Sequence, residues 1–259
     1  MSKLRLVAAA AATVTAAALA LALPSAIASA SENCATAENP GTSASNADCE
    51  VSTADFVVSE EQFNQMFPNR NAFYTYEGLI SAMSAYPEFA NTGGDTVARQ
   101  EAAAFLANVS HETGGLVYIV EQDQSNYPNY CDDTQPYGCP AGNDAYYGRG
   151  PMQLSWNFNY KAAGDALGID LLNDPFLVEN DASVSWQTGL WYWMTQSGPG
   201  SMNAHDAMVN GAGFGETIRA INGSIECDGG NPGQVQSRID LYTGFASTLG
   251  VDPGGNLSC

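Results

Sequence analysis

The chain has 259 residues, with eight basic against 28 acidic side chains and a formal net charge of −20 at pH 7. Such acidity repels a phosphate backbone and excludes nucleic acid as a natural partner. It also argues against a strongly anionic substrate, so a neutral polymer fits. The length allows one ordinary domain plus a short tail, large enough to bury a substantial core.

Lys3 and Arg5 precede an apolar Ala/Val/Leu run that ends at Ala28-Ser29-Ala30. That is the pattern of a cleaved secretory signal, so residues 1–30 read as a leader and the protein is expected to be secreted and extracellular. No second apolar run is long enough to span a bilayer, so no membrane association is expected after cleavage. Residues 31–55 are rich in Ala, Ser, Thr and Asn and hold no aromatic side chain. They read as a linker without the aromatic faces that a compact sugar-binding module would offer. Cys34, Cys49, Cys131, Cys139, Cys227 and Cys259 are an even set in a secreted chain and predict three disulfides. Sequential pairing is the simplest arrangement, although the spacing leaves the connectivity open. With His111 and His205 the only histidines and no Cys-x-x-Cys pair, neither a metal nor another cofactor is expected.

From Phe56 to the C-terminus, residues 56–259 read as one helical catalytic domain. Ser59 and Gln62 form a capping box ahead of Phe63, Met66 and Phe67, and Pro68 ends that short helix. A second helix carries Leu79, Ile80 and Met83 and stops near Pro87. After a turn over Asn91 to Asp95, a third helix places Phe105, Val109 and Glu112 at i, i+4 and i+7, so Glu112 lies on the core-facing stripe. Desolvation there would raise its pKa, as a general acid near neutral pH requires. Gly114 stops the helix, and the chain is expected to run extended to Glu121, a second carboxylate able to lie across a cleft from the first. One protonated and one ionised carboxyl in that relation can hydrolyse a glycosidic bond. A zinc-protease motif is excluded, because Gly115 stands where the second histidine would be.

Asp123 to Tyr146 reads as an ordered loop stapled by Cys131 and Cys139. Its tyrosines Tyr127, Tyr130 and Tyr137 suit either packing or function. In Tyr147-Gly148-Arg149-Gly150-Pro151-Met152-Gln153-Leu154-Ser155-Trp156-Asn157-Phe158-Asn159-Tyr160 the glycines permit a tight turn. Gln153, Ser155, Asn157 and Asn159 then alternate with Leu154, Trp156 and Phe158, as in a half-buried strand with one polar edge. Amides and a hydroxyl on that edge suit a sugar bearing hydroxyl and N-acetyl groups. Asp174-Pro175 opens a short helix and Asp181 caps a longer one whose Trp186, Trp191 and Trp193 are expected in the core. His205, in a Gly-flanked polar stretch, receives no role. A short helix over Phe214 to Ile221 is expected to end at Asn222-Gly223. Asn231 and Pro232 start the last helix, with Val235, Ile239, Tyr242, Phe245 and Leu249 on one stripe. Arg238 shares that face and must be paired there; Glu226 is the partner expected.

The segment Ser110-His111-Glu112-Thr113-Gly114-Gly115 and the run from Tyr147 to Tyr160 together resemble the paired motifs of the family 19 glycoside hydrolases, which are chitinases. The likeness runs from about Phe56 to the C-terminus and suits the compact secreted bacterial type without a chitin-binding module. The resemblance implies a mainly α, lysozyme-like single domain with a long substrate cleft and at most a small β-sheet. It implies endo-hydrolysis of β-1,4-linked N-acetylglucosamine chains by an inverting mechanism. Glu112 matches the general acid, Glu121 the general base, and Ser155 the residue that helps hold the attacking water. Gln153, Asn159 and Asn222 match substrate-binding amides, with His111 assigned beside them, and Arg238 with Glu226 matches a charge network behind the acid. The family pattern also supports Cys131 with Cys139 and Cys227 with Cys259. The expected partners are chitin and N-acetylglucosamine oligosaccharides, met by a monomer. A muramidase acting on peptidoglycan and a chitin-binding protein without catalysis are the rival readings.

Overall fold

The computed structural model describes residues 56–259. The expected leader, the 31–55 segment and the pairing of Cys34 with Cys49 lie outside the described residues. Within them run α1 (Glu60–Met66), α2 (Tyr76–Met83), α3 (Asp95–Thr113), α4 (Asn157–Leu167), α5 (Leu177–Asn180), α6 (Ala182–Thr195), α7 (Ala204–Val209), α8 (Phe214–Glu226) and α9 (Pro232–Thr248). A 3-10 helix, Gln124–Tyr130, joins the site region. Among the described residues there is no strand, and pairing is limited to the isolated antiparallel bridges Val120 with Arg149 and Arg149 with Leu154. The fold is therefore mainly α, as expected.

The core forms around α3. Every residue from Glu101 to Ser110 is buried, so the expected stripe of Phe105, Val109 and Glu112 is part of a helix enclosed on all sides. Ala102, Ala103, Ala104 and Ala107 make this possible, since small side chains let α7, α8 and α9 pack close against it. Phe105 meets α6 through Trp193, whose ring centroid lies 5.4 Å away edge-on, and through Trp186 at 6.2 Å. The tryptophans of α6 are core residues, as the sequence implied. The capping box of α1, the Asp181 cap of α6 and the Asn231 cap of α9 all form. Disulfides join Cys131 to Cys139 and Cys227 to Cys259, the second tying the C-terminus to the end of α8.

Several expectations need correction. After Gly114 the chain does not leave extended: it turns through residues 114–117, with Leu116 at φ 60, and only then reaches the bridge at Val120. The 123–146 loop contains the 3-10 helix, because Asp123 caps it by accepting from the Ser125 N–H. The alternating edge from Gln153 to Asn159 is not a strand. Arg149 and Leu154 close a tight hairpin, Trp156 takes φ 75, and α4 starts at Asn157, so Ser155 and Asn157 are buried rather than presented on a polar edge. The short helix over Phe214 to Ile221 continues to Glu226, with a kink where Asn222 adopts φ −134.

His205, which received no role from the sequence, lies in α7. Its Nδ1 is 2.7 Å from Oε1 of the fully buried Glu101, which also accepts from Trp193 Nε1 at 2.9 Å and, through Oε2, from the Ala90 N–H at 3.0 Å. The hydrogen bond to Glu101 raises the His205 pKa above its ordinary value against the opposing effect of burial. At the far end of α3, burial first and the nearby Arg238 charge second push His111 down to about 4. The two histidines therefore act in opposite pH windows. The His205 contribution is complete below about pH 6.5 and is lost as pH rises through its raised folded value. The His111 contribution is present above about pH 6.5 and is lost as pH falls towards 4. In thermal melts from pH 4 to 9, His205→Asn should differ from the parent most on the acid side and converge with it in alkali. His111→Asn should be relatively stabilised only on the acid side. Equal offsets at every pH would refute both assignments.

Candidate active site

Glu112 occupies the last turn of α3, where Gly114 ends the helix in the left-handed conformation at φ 63. Its side chain is fully buried, as is that of Arg238 from α9. The guanidinium spends its donors on three residues of two helices, α3 and α8. Nη2 donates to Glu112 Oε1; Nε and Nη2 each donate to Glu226 at 2.8 Å; Nη1 donates to Asn108 Oδ1 at 2.9 Å. The Asn108 amide cannot turn away, because its Nδ2 donates to the Ala104 carbonyl and to Thr217 Oγ1. Glu226 reaches back from the end of α8 past the kink at Asn222, whose Nδ2 donates to Glu226 Oε1 at 3.0 Å.

One guanidinium thus faces two carboxyls, and their surroundings drive them apart. Burial raises the Glu112 pKa, and the opposing charge and hydrogen bond of Arg238 do not reverse it; the neighbouring Glu226 raises it further. Burial also works to raise Glu226, but the Arg238 hydrogen bonds and charge, with help from His111 and Asn222, hold its pKa below the ordinary range. Glu226 is therefore the more acidic of the two carboxyls and Glu112 the one that holds its proton to higher pH. Geometry agrees: Glu226 takes two donors from Arg238, whereas Glu112 takes one and its Oε2 is buried without a partner. A proton on Oε2 would make that atom a donor, able to give the proton to a group placed against it. Asn222 Oδ1 and His111 Nε2 are also buried and make no hydrogen bond within the protein. His111 Nδ1 is 3.3 Å from Ser237 Oγ.

Glu121 comes from a different kind of structure. Its N–H donates to the Gly148 carbonyl at 2.8 Å, and the Gly150 N–H donates to the Ile119 carbonyl at 2.8 Å, which sets Val120 opposite Arg149. Arg149 and Leu154 exchange N–H···O bonds of 3.0 and 2.8 Å. In this register Glu121 and Ser155 both fall opposite Gly148, one on each side of it. Ser155 Oγ donates to the Gln153 carbonyl at 3.3 Å. Gln153, at φ 48, uses its Nε2 on the Gly150 carbonyl at 3.0 Å and the Ile119 carbonyl at 3.4 Å, so its amide closes the hairpin and leaves Oε1 as an acceptor. Asn159 Nδ2 donates to the Ser155 carbonyl at 2.9 Å from the first turn of α4.

The structure therefore gathers Glu112, Asn222, Glu226, Arg238 and His111 into one network, and Glu121, Gln153, Ser155 and Asn159 around the hairpin. It adds Asn108, which the sequence signalled only as a polar residue one turn before Glu112 in the otherwise apolar run from Ala102 to Val109. It adds Arg149, which stood out as one of few cations, and Asn126, whose Nδ2 donates to Glu121 Oε1 at 2.8 Å. A surface cavity of about 430 Å³ beside the C-terminal end of α4 is lined by Lys161, Asp165, Asp170 and Asn173 among others and includes none of these residues. Among the described residues no cluster of His, Cys, Asp and Glu could hold a metal ion.

Comparison with known proteins gives a consistent result. A family model described as chitinase class I matches residues 57–259. Chitinase 6 of Oryza sativa is 48% identical over 188 residues, a stretch that covers 72% of this chain and 66% of the rice protein. Endochitinase EP3 of Arabidopsis thaliana is 44% identical over 216 residues, covering 81% of this chain and 75% of its own. The chain thus spans about two thirds to three quarters of the length of these plant relatives. Among solved structures, a bacterial family 19 chitinase is 78% identical, with a TM-score of 0.78 over 79% of this chain and 100% of that one. Chitinase C from Streptomyces griseus HUT6037 is 71% identical with a TM-score of 0.79, over 79% and 81% of the two chains. With the family model matched across the whole described region and the helical fold shared with solved members, the chain belongs to glycoside hydrolase family 19, the chitinases.

Proposed function

We propose that the protein is an endo-acting chitinase that cleaves β-1,4 linkages between N-acetylglucosamine units by a single displacement. The observation that carries this reading is the buried Glu112 carboxyl that shares Arg238 with Glu226, the more acidic of the two, and whose Oε2 makes no hydrogen bond within the protein. Glu112 acts as general acid: its proton passes to the glycosidic oxygen as the bond from that oxygen to the anomeric carbon breaks. Glu121 acts as general base and takes a proton from water, whose oxygen bonds to the same carbon from the opposite face. Ser155 helps hold that water; its place in the same register as Glu121 supports this role. Gln153 Oε1, Asn159, Asn222 Oδ1 and His111 Nε2 supply polar contacts to the substrate. The protein works as a secreted monomer once residues 1–30 are removed, a reading supported by disulfides suited to an oxidising compartment.

Glu112 and Glu121 arise from a helix end and a bridged segment, so they approach from separate elements. A separation of roughly 6.5 to 9.5 Å would leave room for the water, whereas about 5 Å would favour direct attack by the carboxylate. Inversion at a β-linkage yields an α-configured reducing end. Proton NMR of a chitin oligosaccharide digest in the first minutes should show the α-anomer; early β-anomer would rule out the single displacement. Glu112→Gln and Glu121→Gln should each lose at least about 100-fold in kcat, the scale of a general acid or base, with sugar binding and melting retained. Release of reducing sugar from colloidal chitin but not from peptidoglycan separates this reading from a muramidase. Absence of turnover on both, with chitin bound, would leave only a binding protein.

A second prediction concerns the charge network. Glu226→Gln removes the negative charge that helps raise the Glu112 pKa and leaves Arg238 to act on Glu112 alone. The acid would then ionise at lower pH, so the alkaline limb of the kcat profile should move to lower pH. An unmoved limb in a variant that melts like the parent would show that Glu226 has no electrical influence on the acid.

A further inference from the structure

We infer that Asn126 and Tyr127, adjacent on the 3-10 helix Gln124–Tyr130, are positioning residues for Glu121, and that buried Arg149 braces them through a stack of rings. This rests on the reading of Glu121 as the base. Asn126 is buried, and its Nδ2 is 2.8 Å from Glu121 Oε1. The amide nitrogen must be the atom that faces the carboxylate, since the amide oxygen would set acceptor against acceptor. That bond fixes the rotation of the carboxyl and leaves Oε2 for the water. Tyr127 acts one bond further back: its hydroxyl donates to the Glu121 backbone carbonyl at 3.0 Å. Head group and backbone of one residue are thus both gripped by one short helix, itself started by the Asp123 cap and by the Asn126 N–H donating to the Asp123 carbonyl at 3.0 Å.

A short 3-10 helix has weak hydrogen-bond geometry and needs outside support to hold a residue to a fraction of an ångström. The Tyr127 ring lies 3.7 Å from that of Tyr147 at 12° between planes. Arg149 Cζ lies 3.5 Å from the same Tyr147 centroid. Two groups so close to one centroid cannot share a face, so Tyr147 is sandwiched between Tyr127 and the guanidinium. Phe176 adds a further aromatic neighbour, with its ring centroid 4.9 Å from Cζ. The guanidinium is pinned in turn: Nε donates to Glu179 at 2.6 Å, and Nη1 donates to the Ala145 carbonyl at 2.7 Å and to the Tyr160 hydroxyl at 2.8 Å. The Tyr147 hydroxyl donates to the same Glu179 oxygen at 3.1 Å. Arg149 also supplies the central residue of both backbone bridges. A single residue therefore sets the segment that bears Glu121 through its main chain and the helix that orients Glu121 through its side chain.

The test is a set of single and double variants assayed on a chitin oligosaccharide, with kcat, KM and melting read for each. Asn126→Ala and the isosteric Asn126→Asp, which replaces the donor with an acceptor, should each lower kcat roughly tenfold to a hundredfold, the scale for a misplaced catalytic group. KM should stay within about twofold. Tyr127→Phe keeps the ring stack and should show a smaller loss of the same kind. In a Glu121→Gln background, with the residual rate followed under enzyme excess, Asn126→Ala should add no further loss, because the residue acts only through Glu121. If Glu121→Gln alone keeps the parent rate, the base reading falls. If Glu121→Gln loses the rate while Asn126→Asp and Tyr127→Phe keep the parent kcat, the base reading stands and the positioning role is overturned. Equal losses from Asn126→Ala in both backgrounds also overturn it, since the effect would then bypass Glu121.

Discussion

The burial of the Arg238 guanidinium is the constraint on which the site depends. A cation sealed between α3, α8 and α9 is tolerable only with counter-charge and a full set of acceptors, and removing a partner from such a pair typically costs about 3 to 5 kcal/mol. Asn108, Glu112 and Glu226 supply the acceptors, so the packing of these helices and the orientation of the acid are one problem with one solution. The alanine-rich body of α3 lets α9 approach, and the kink at Asn222 turns Glu226 inward. Because one positive charge is shared between two buried carboxyls, burial prevails at Glu112 and raises its pKa.

The two proposed catalytic carboxyls are held by opposite strategies. Glu112 projects from the end of a 19-residue helix enclosed by others, where its position follows from core packing. Glu121 sits beyond isolated bridges, on backbone with few regular hydrogen bonds, and depends on local devices: the hairpin, the 3-10 helix and the Arg149 stack. That division suits their tasks. An acid that needs a raised pKa benefits from burial, whereas a base that must meet water has to sit where water can reach it, and precision there must come from hydrogen bonds rather than enclosure.

What the sequence revealed follows the same division. Features set by helix periodicity and capping were legible: the Ser59 box, the Gly114 stop, the Asp181 and Asn231 caps, and the inward Arg238 with its Glu226 partner. Features set by non-local hydrogen bonds were not. The run from Gln153 to Asn159 has the alternation of a strand, but the exchange between Arg149 and Leu154 makes a hairpin and Asn157 instead faces Asp132 and Gly138, to whose carbonyls its Nδ2 donates. His205 received no role because its partner, Glu101, lies 104 positions away. Tyr127 likewise packs on Tyr147 rather than on the Cys131–Cys139 staple, a pairing that no local pattern encodes.

The cations outside the expected leader bear on the substrate. Arg99 pairs with Asp95, Arg149 with Glu179, Lys161 with Asp165, Arg219 with Glu216 and Asp228, and Arg238 with Glu112 and Glu226. Arg70 donates to the carbonyls of Tyr74 and Phe67 and lies over the Phe63 ring. Every basic side chain of the described region is thus engaged within the fold, while most of the acidic residues carry no such partner. The described region is accordingly negative, and among its residues no free cation is left to recognise the carboxylates that peptidoglycan carries on its peptides. An uncharged N-acetylglucosamine polymer meets no such penalty, and the contacts proposed for it are amides, hydroxyls and an imidazole held neutral by burial. The charge distribution of the described region is therefore consistent with an uncharged polymer, on grounds independent of the family assignment.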